Sequence, residues 1–172
     1  MPDKLQKRDL SVTRVFDAEV DLLWEAWTDP RYVMRWWGPD HFTCPSAKID
    51  FREGGTSIVC MRAPKDFGGA DTWSIWVYKK IVPLQSIEFI QSLSDANGIP
   101  VDPVSLGMPP EFPREMRTLV TFRKLGRGKS EMTVTQFDWT VSPMLGYAEA
   151  GLNQSLDKMV VFIHSADRGA QA

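Results

Sequence analysis

Residues 142–166 read SPMLGYAEAGLNQSLDKMVVFIHSA, and this stretch decides the fold. Ser142 and Pro143 favour a helix start, because serine caps free backbone N–H groups and proline has no N–H to leave unpaired. Apolar residues then recur at steps of three and four, as on one side of a helix: Leu145, Ala148, Leu152, Leu156, Met159 and Ile163. A helix of this kind has to bury its apolar side. The pattern predicts either a sheet wrapped around it or a surface helix that seals an ordinary α+β core.

The residues before this helix follow strand and helix patterns in a definite order. Residues 10–16 alternate as a first strand, and residues 19–28 and 31–37 have the spacing of two short helices. Further strands are predicted at 47–51, 57–61, 72–82, 87–91, 117–124 and 131–140. This order predicts an α+β fold in which a curved antiparallel sheet of six to seven strands surrounds the C-terminal helix. The volume between sheet and helix is a favoured place for a ligand.

Residues 94–115 interrupt the strand pattern with five prolines and two glycines. Loops of this length tend to be lids, binding loops or disordered segments. A flexible lid and a plain insertion are both open interpretations of this Pro-rich loop. The chain length fits one domain, and we expect a flexible lead over residues 1–7 followed by a single domain over residues 8–168.

The composition argues against several classes of function. A net charge of −2 offers no basic surface for nucleic acid or anionic membranes. Cys44 and Cys60 form no CxxC motif, and no metal-ligand spacing occurs elsewhere, so neither a metal nor a cofactor is predicted. No apolar run approaches the ~20 residues that span a bilayer, and the N-terminus lacks a signal-peptide pattern. We expect a cytoplasmic protein with reduced cysteines, no nucleic-acid partner and no membrane insertion.

Signatures of nucleophilic catalysis are absent from the sequence. There is no GxSxG motif, and the chain has only two histidines, His41 and His164, so no catalytic residue is assigned. General acid–base chemistry needs only one or two polar groups between apolar walls, and is harder to exclude. The polar residues that could face inward are Arg14, Tyr78, Glu115, Gln136 and Glu149.

The pocket prediction combines the aromatic composition with the glycine in the last helix. Seven tryptophans and nine phenylalanines indicate either a thick core or an aromatic-lined cavity. Gly151 costs a helix about 1 kcal/mol relative to alanine, so close approach of the sheet or of a ligand should explain it. Seven residues are predicted to line the ligand pocket: Met61, Trp76, Tyr78, Phe122, Gln136, Glu149 and Leu152.

Five segments together resemble a known family. They are VDLLWEAWTDP at 20–30, RWWGP at 35–39, IDFREGG at 49–55, YKKIVP at 78–83 and GLNQSLDK at 151–158. Their order resembles the START-like, or SRPBCC, superfamily, in the branch named after the C-terminal domain of the heat-shock-protein-90 ATPase activator. The resemblance implies the helix-grip fold of the birch-pollen allergen.

The chain departs from the pattern of that branch at three places. Leu152 stands where the branch usually has tryptophan. Trp76 stands where glycine is common, and should narrow a cavity. The 94–115 segment is longer than usual.

The resemblance leaves the function open, because this fold carries lipid binders, hormone receptors, cyclases and co-chaperones. We expect a module that binds a small hydrophobic or aromatic molecule between the sheet and the C-terminal helix, with no established catalytic activity. One alternative is a cyclase-like enzyme, which would need at least two ionisable groups facing a pocket. Another is a co-chaperone-like domain that binds protein. A homodimer through a sheet edge or the helical end is left open.

Overall fold

The computed structural model describes residues 6–171, with side chains over residues 6–165. Within that range the chain forms three α-helices: α1 (Val20–Thr28), α2 (Pro30–Trp36) and α3 (Pro143–Gln171). It also forms seven strands: β1 (Lys7–Phe16), β2 (Ala47–Lys48), β3 (Thr56–Arg62), β4 (Asp71–Val82), β5 (Ser86–Ser94), β6 (Met116–Gly126) and β7 (Lys129–Thr140). Residues 1–5 of the expected N-terminal lead lie outside the described residues, and Lys7 already pairs with Thr140 in the sheet.

The seven strands form one antiparallel sheet in the order β1-β7-β6-β5-β4-β3-β2. Helix α3 packs on β1 and on both short helices, α1 packs on β6 and β7, and α2 packs on β2. Leu156, Met159 and Ile163 of the apolar side of α3 have no exposed surface. The predicted α+β helix-grip fold is therefore confirmed, and of the two arrangements that the apolar stripe allowed, the structure has the sheet wrapped around α3.

Aromatic side chains from both short helices and the sheet interlock beneath α3. The ring of Trp27 lies 4.6 Å from that of Trp36 and 5.8 Å from that of Trp76, and Trp76 lies 5.1 Å from Phe89. Buried Trp36 also donates a 2.7 Å hydrogen bond from Nε1 to the carbonyl oxygen of Ala26. These edge-on and tilted ring pairs anchor α1 and α2 to the inner face of the sheet.

Two local expectations differ from the structure. The strand predicted at 47–51 ends at Lys48, because the N–H of Asp50 donates to the Ser57 hydroxyl (3.1 Å) instead of continuing the ladder. The capping hydrogen bond predicted for Ser142 is not formed: its Oγ is buried and has no partner among the described residues. The carbonyl oxygen of Ser142 instead accepts from the N–H of Leu145 at 3.1 Å.

The Pro-rich segment between β5 and β6 is folded back on the domain. Its first part makes a tight turn in which the carboxylate of Asp95 accepts from two backbone N–H groups, each at 2.9 Å. A 3₁₀ turn follows at Pro103–Leu106, capped by Asp102, whose other carboxylate oxygen lies 2.9 Å from Arg114. Phe112 then packs edge-on against Trp139 of β7, with ring centroids 5.7 Å apart. We call residues 95–115 the cover segment.

Among the helices of residues 6–171, none has the length and apolar character that crossing a lipid bilayer would require.

Candidate functional site

A cavity of about 360 Å³ lies between the sheet and the first half of α3. Its sheet side is formed by inward-facing residues of β3 to β7: Met61, Thr72, Ser74, Gln91, Leu93, Met116, Gln136 and Trp139. Its helix side is formed by Met144, Tyr147, Ala148, Gly151, Leu152 and Ser155. The cover segment adds Met108 and Phe112, and the loop after α2 adds Trp37, Gly38, Pro39 and Phe42. The volume is at the lower end of the roughly 300–1,000 Å³ that is usual for ligand pockets.

The size of the residues along β4 explains why the cavity lies at this end of the helix. Alternate side chains of a strand face the same way, so Thr72, Ser74, Trp76 and Tyr78 all face α3. The small Thr72 and Ser74 border the cavity, while Trp76 and Tyr78 fill the opposite end and are 0% and 1% exposed. The core therefore occupies one half of the space under α3, and the cavity occupies the other half.

The walls are apolar, with a few neutral polar groups. Four methionines line the cavity, Met61, Met108, Met116 and Met144, and their flexible thioether side chains adapt to ligands of different shape. No Asp, Glu, Lys, Arg or His side chain lines it within the described part of the chain. An ion would lose its hydration there without gaining a counter-ion. The cavity thus suits an uncharged molecule.

Gly151 leaves space in the cavity wall. A Cβ atom built at this glycine would meet only Pro39, at an ordinary contact distance of 4.0 Å. The sheet does not approach closely enough to require glycine. What Gly151 does provide is room, because any larger side chain would extend from α3 into the cavity.

The structure brings together some of the seven predicted pocket residues and separates others. Met61, Gln136 and Leu152 are in the cavity wall. Trp76, Tyr78 and Phe122 instead belong to the buried core beyond it, since ring contacts with Trp27, Phe51 and Trp24 occupy their faces. Glu149 lies outside the wall, with its side chain 47% exposed and 3.8 Å from Arg8. Its position on α3 is turned towards the edge strand β1.

Two other polar residues that were candidates for facing inward, Arg14 and Glu115, lie elsewhere in the structure. Arg14 bridges β1 and α3: its Nη1 lies 2.7 Å from Oδ1 of Asp157, and its Nη2 donates to the carbonyl oxygen of Asn153 at 3.1 Å. Glu115 is exposed at the end of the cover segment, immediately before β6. Neither residue lines the cavity.

Several wall residues were missed by the sequence analysis. Met108 and Phe112 are in the cover segment, and Trp139 and Tyr147 flank the turn into α3. Apolar residues inside a Pro-rich loop indicate that the loop folds back on an apolar surface, so Met108 and Phe112 could have been predicted from the sequence. Trp139 could not be predicted in this way. A bulge at Asp138, where φ is 60°, precedes it in β7 and changes which of the following residues face inward.

Burial shifts the pKa of Tyr78, which lies in the core beside the cavity. Its hydroxyl lies 2.8 Å from the Ser57 hydroxyl, and burial raises the pKa of Tyr78 to about 12 from its ordinary value near 10. Burial disfavours the phenolate, so the folded state keeps the proton to higher pH than the unfolded chain does. This contribution to stability is complete below pH 10 and is lost as the pH rises through about 12.

We therefore expect an alkaline loss of stability that depends on Tyr78. Between pH 10 and 12 the free energy of unfolding of the wild type should fall by about 2 kcal/mol more than that of Tyr78→Phe. Denaturant unfolding across this pH range measures the difference. The variant should fold, because Ser57 keeps its hydrogen bond from the N–H of Asp50. Equal pH dependence in both proteins would contradict the assigned cause.

The described residues offer neither a reactive thiol nor a set of metal ligands at the site. Cys44 and Cys60 are both buried and unpaired, and burial raises the pKa of Cys60 to about 11, which keeps the thiol protonated at neutral pH. The described residues contain no cluster of three or more His, Cys, Asp or Glu side chains placed to hold a metal ion.

The family model of Activator of Hsp90 ATPase homolog 1-like proteins matches residues 17–163 of this sequence. The chain belongs to this family. AHSA1-like proteins are part of the START-like, or SRPBCC, superfamily, so the resemblance found in the sequence is confirmed. No curated protein is significantly similar to this AHSA1-like chain in sequence.

Solved structures of bacterial proteins share the fold of this AHSA1-like chain. A protein from Arthrobacter aurescens is 24% identical, with a TM-score of 0.75 over 91% of this chain and 86% of that one. The AHSA1 protein from Silicibacter pomeroyi is 18% identical, with a TM-score of 0.72 over 92% and 99% of the two chains. The AHSA1-like protein from Aeromonas hydrophila is 18% identical, with a TM-score of 0.67 over 93% and 94%. At these identities the likeness shows the fold alone.

Proposed function

We propose that the protein binds a small, uncharged and mainly apolar molecule in the cavity between the sheet and α3. The observation that carries the proposal is a space of about 360 Å³ whose walls combine four methionines, aromatic rings and neutral polar groups. Burial of apolar ligand surface there would supply the affinity, at about 25 cal/mol per Å². The family and fold are consistent with a ligand-binding domain.

The chemistry of the walls favours binding over catalysis. A cyclase-like enzyme would need at least two ionisable side chains facing the ligand, and in the described residues the walls offer only Tyr147, which is 73% exposed. Tyr78 is buried outside the wall, and Glu115 and Arg14 do not line it. Among the described residues, the cavity wall therefore presents no pair of ionisable side chains that could exchange a proton with a ligand.

A co-chaperone-like role is the second candidate, suggested by the Hsp90 activator in the family's name. It is favoured by exposed apolar side chains in the cover segment, Ile99, Val104 and Leu106. A stable complex with purified Hsp90 in gel filtration, together with a faster ATPase, would support this role. Binding of a small molecule with no effect on the chaperone would favour the first proposal.

Native mass spectrometry tests the ligand-binding proposal directly. Freshly purified protein should show a reproducible extra mass that disappears under denaturing conditions, and the released molecule should be uncharged. Uncharged aromatic hydrocarbons such as fluorene should also raise the midpoint of thermal unfolding, because a ligand that binds only the folded state stabilises it. If the protein carries no extra mass and such compounds do not raise its unfolding midpoint, the proposal is contradicted.

We also propose that the protein is located in the cytoplasm, because its two unpaired cysteines would remain reduced there. A homodimer through a sheet edge or the helical end remains a prediction, and sedimentation of the purified protein would show whether a dimer forms.

A further inference from the structure

One polar side chain of the cavity wall is held in a fixed orientation with an unused donor. Gln136 of β7 is only 9% exposed and lines the cavity. Its Oε1 accepts a 3.1 Å hydrogen bond from Nε1 of Trp139. The indole N–H is a donor only, so it must face the amide oxygen, and the NH₂ group of Gln136 is directed elsewhere.

The amide nitrogen of Gln136 has no hydrogen-bond partner among the described residues. It is also not sealed inside the protein, because the fully buried unpartnered atoms of those residues are Trp76 Nε1 and Ser142 Oγ. Its NH₂ group therefore keeps some accessible surface, and the side chain that carries it lines the cavity. A buried amide on an apolar wall costs free energy unless its donors find an acceptor.

The surroundings of this amide are apolar. Leu10, Met116, Trp139 and Leu145 form a small core cluster at this end of the domain, and Phe112 of the cover segment packs on it. Hydrogen bonds are stronger in such an environment than in water. An acceptor that replaces water at the NH₂ group would thus gain more than it would on the surface.

We propose that Gln136 donates a hydrogen bond to the ligand, and that the ligand is an uncharged molecule carrying a carbonyl-type oxygen. This inference rests on the proposed function and specifies it. A carboxylate would accept the same hydrogen bond, but the described walls contain no cation to balance its charge. A pure hydrocarbon would leave the donor unpaired. A neutral ketone, ester or amide satisfies both conditions.

Matched pairs of compounds test the donor. Calorimetric titration would compare fluorenone with fluorene, and benzophenone with diphenylmethane, in which the carbonyl group of each ketone is replaced by CH₂. In the wild type each ketone should bind about three- to tenfold more tightly than its hydrocarbon, the effect of one hydrogen bond. In Gln136→Met the ratio should fall to about one, because methionine keeps the length of the side chain and removes the donor.

A second pair of variants separates this role from a structural one. Gln136→Met leaves the indole N–H of Trp139 without its acceptor, which by itself destabilises the fold. Trp139→Phe leaves the amide oxygen of Gln136 without its donor but keeps the NH₂ group, whereas the double variant Trp139→Phe/Gln136→Met removes both polar partners, and phenylalanine retains a ring for packing against Phe112. The ketone preference should persist in Trp139→Phe and disappear in the double variant. The side-chain NH₂ resonances of Gln136 should shift with fluorenone and not with fluorene.

The outcomes distinguish the two proposals. Equal binding of ketones and hydrocarbons by the wild type would overturn the role of Gln136 while supporting the proposed function. A ketone preference that survives in Gln136→Met would assign the donor to another residue and also overturn the inference. If the wild type binds none of the four compounds, the proposed function fails together with it.

Discussion

Replacing Trp76 with alanine should lower the free energy of unfolding by about 3–5 kcal/mol, the range for a large aromatic side chain removed from a core. Trp76 has no exposed surface, and its ring lies 5.0 to 5.8 Å from those of Trp37, Trp27 and Phe89. Those neighbours come from α1, from the loop after α2 and from β5, so they are unable to collapse together into the space. Denaturant unfolding measures the loss.

Trp73 provides the matched control for this prediction. It is on the same strand as Trp76 but on the opposite face of the sheet, where it is only half-buried. Trp73→Ala should therefore cost less than about half as much. Trp76→Phe should also be milder, at about 1–2 kcal/mol, because the lost Nε1 has no partner among the described residues. Equal losses for Trp73→Ala and Trp76→Ala would mean that the core is not on the face assigned to it.

The vacated space adds a second readout. The ring of Trp76 contacts Trp37, which lines the cavity, so removing Trp76 should enlarge the cavity towards the core. Trp76→Ala should then recover part of its stability in the presence of fluorene, as a ligand fills the void. If fluorene stabilises Trp76→Ala no more than it stabilises the wild type, the space left by Trp76 is separate from the cavity.

Replacing Gly151 with leucine should weaken fluorene binding by about 10- to 100-fold. The new side chain would extend from α3 into the cavity, and a ligand would have to displace it at a cost similar to that of overpacking a core. The fold should not suffer, because leucine is a better helix former than glycine by about 1 kcal/mol. Weaker binding combined with equal or higher stability is the signature of a filled cavity. Calorimetry and thermal unfolding measure the two quantities.

Gly146 provides the control on the same helix. It is exposed, and a Cβ atom there would meet nothing within 4 Å. Gly146→Leu gains the same helix propensity without entering the cavity, so its affinity for fluorene should equal that of the wild type. Similar binding by Gly151→Leu and the wild type would place the ligand outside this cavity, and the proposed function would lose its site.

Much of the fold could be predicted from local patterns. The three- and four-residue spacing of Leu156, Met159 and Ile163 predicts one buried side of α3, and the change to a period of two predicts the strands. These patterns follow from backbone geometry alone, so they can be recognised without knowing which residues pack against them. Strand ends were less predictable. The strand at 47–51 is cut short because the N–H of Asp50 donates a hydrogen bond to the side chain of Ser57, a residue in the next strand.

The site was harder to predict than the fold. The predicted pocket residues Met61, Gln136 and Leu152 lie in the cavity wall, because alternation along a strand and spacing along a helix determine the direction of a side chain. Trp76, Tyr78 and Phe122 also face inward, but they fill the core instead of lining the cavity. Direction is a local property of the chain. Whether an inward side chain meets empty space depends on the residues opposite it.

The sequence by itself determined that the C-terminal helix is one-sided and follows a series of strands, and five short segments indicated the family. Only the tertiary structure decided which half of that helix faces a cavity. The apolar stripe of α3 runs without interruption from Leu145 to Ile163, yet the wall residues end at Ser155 and the filled core begins at Leu156. The volume between helix and sheet is set jointly by side chains from strands far apart in sequence, so no single stretch of the chain contains it.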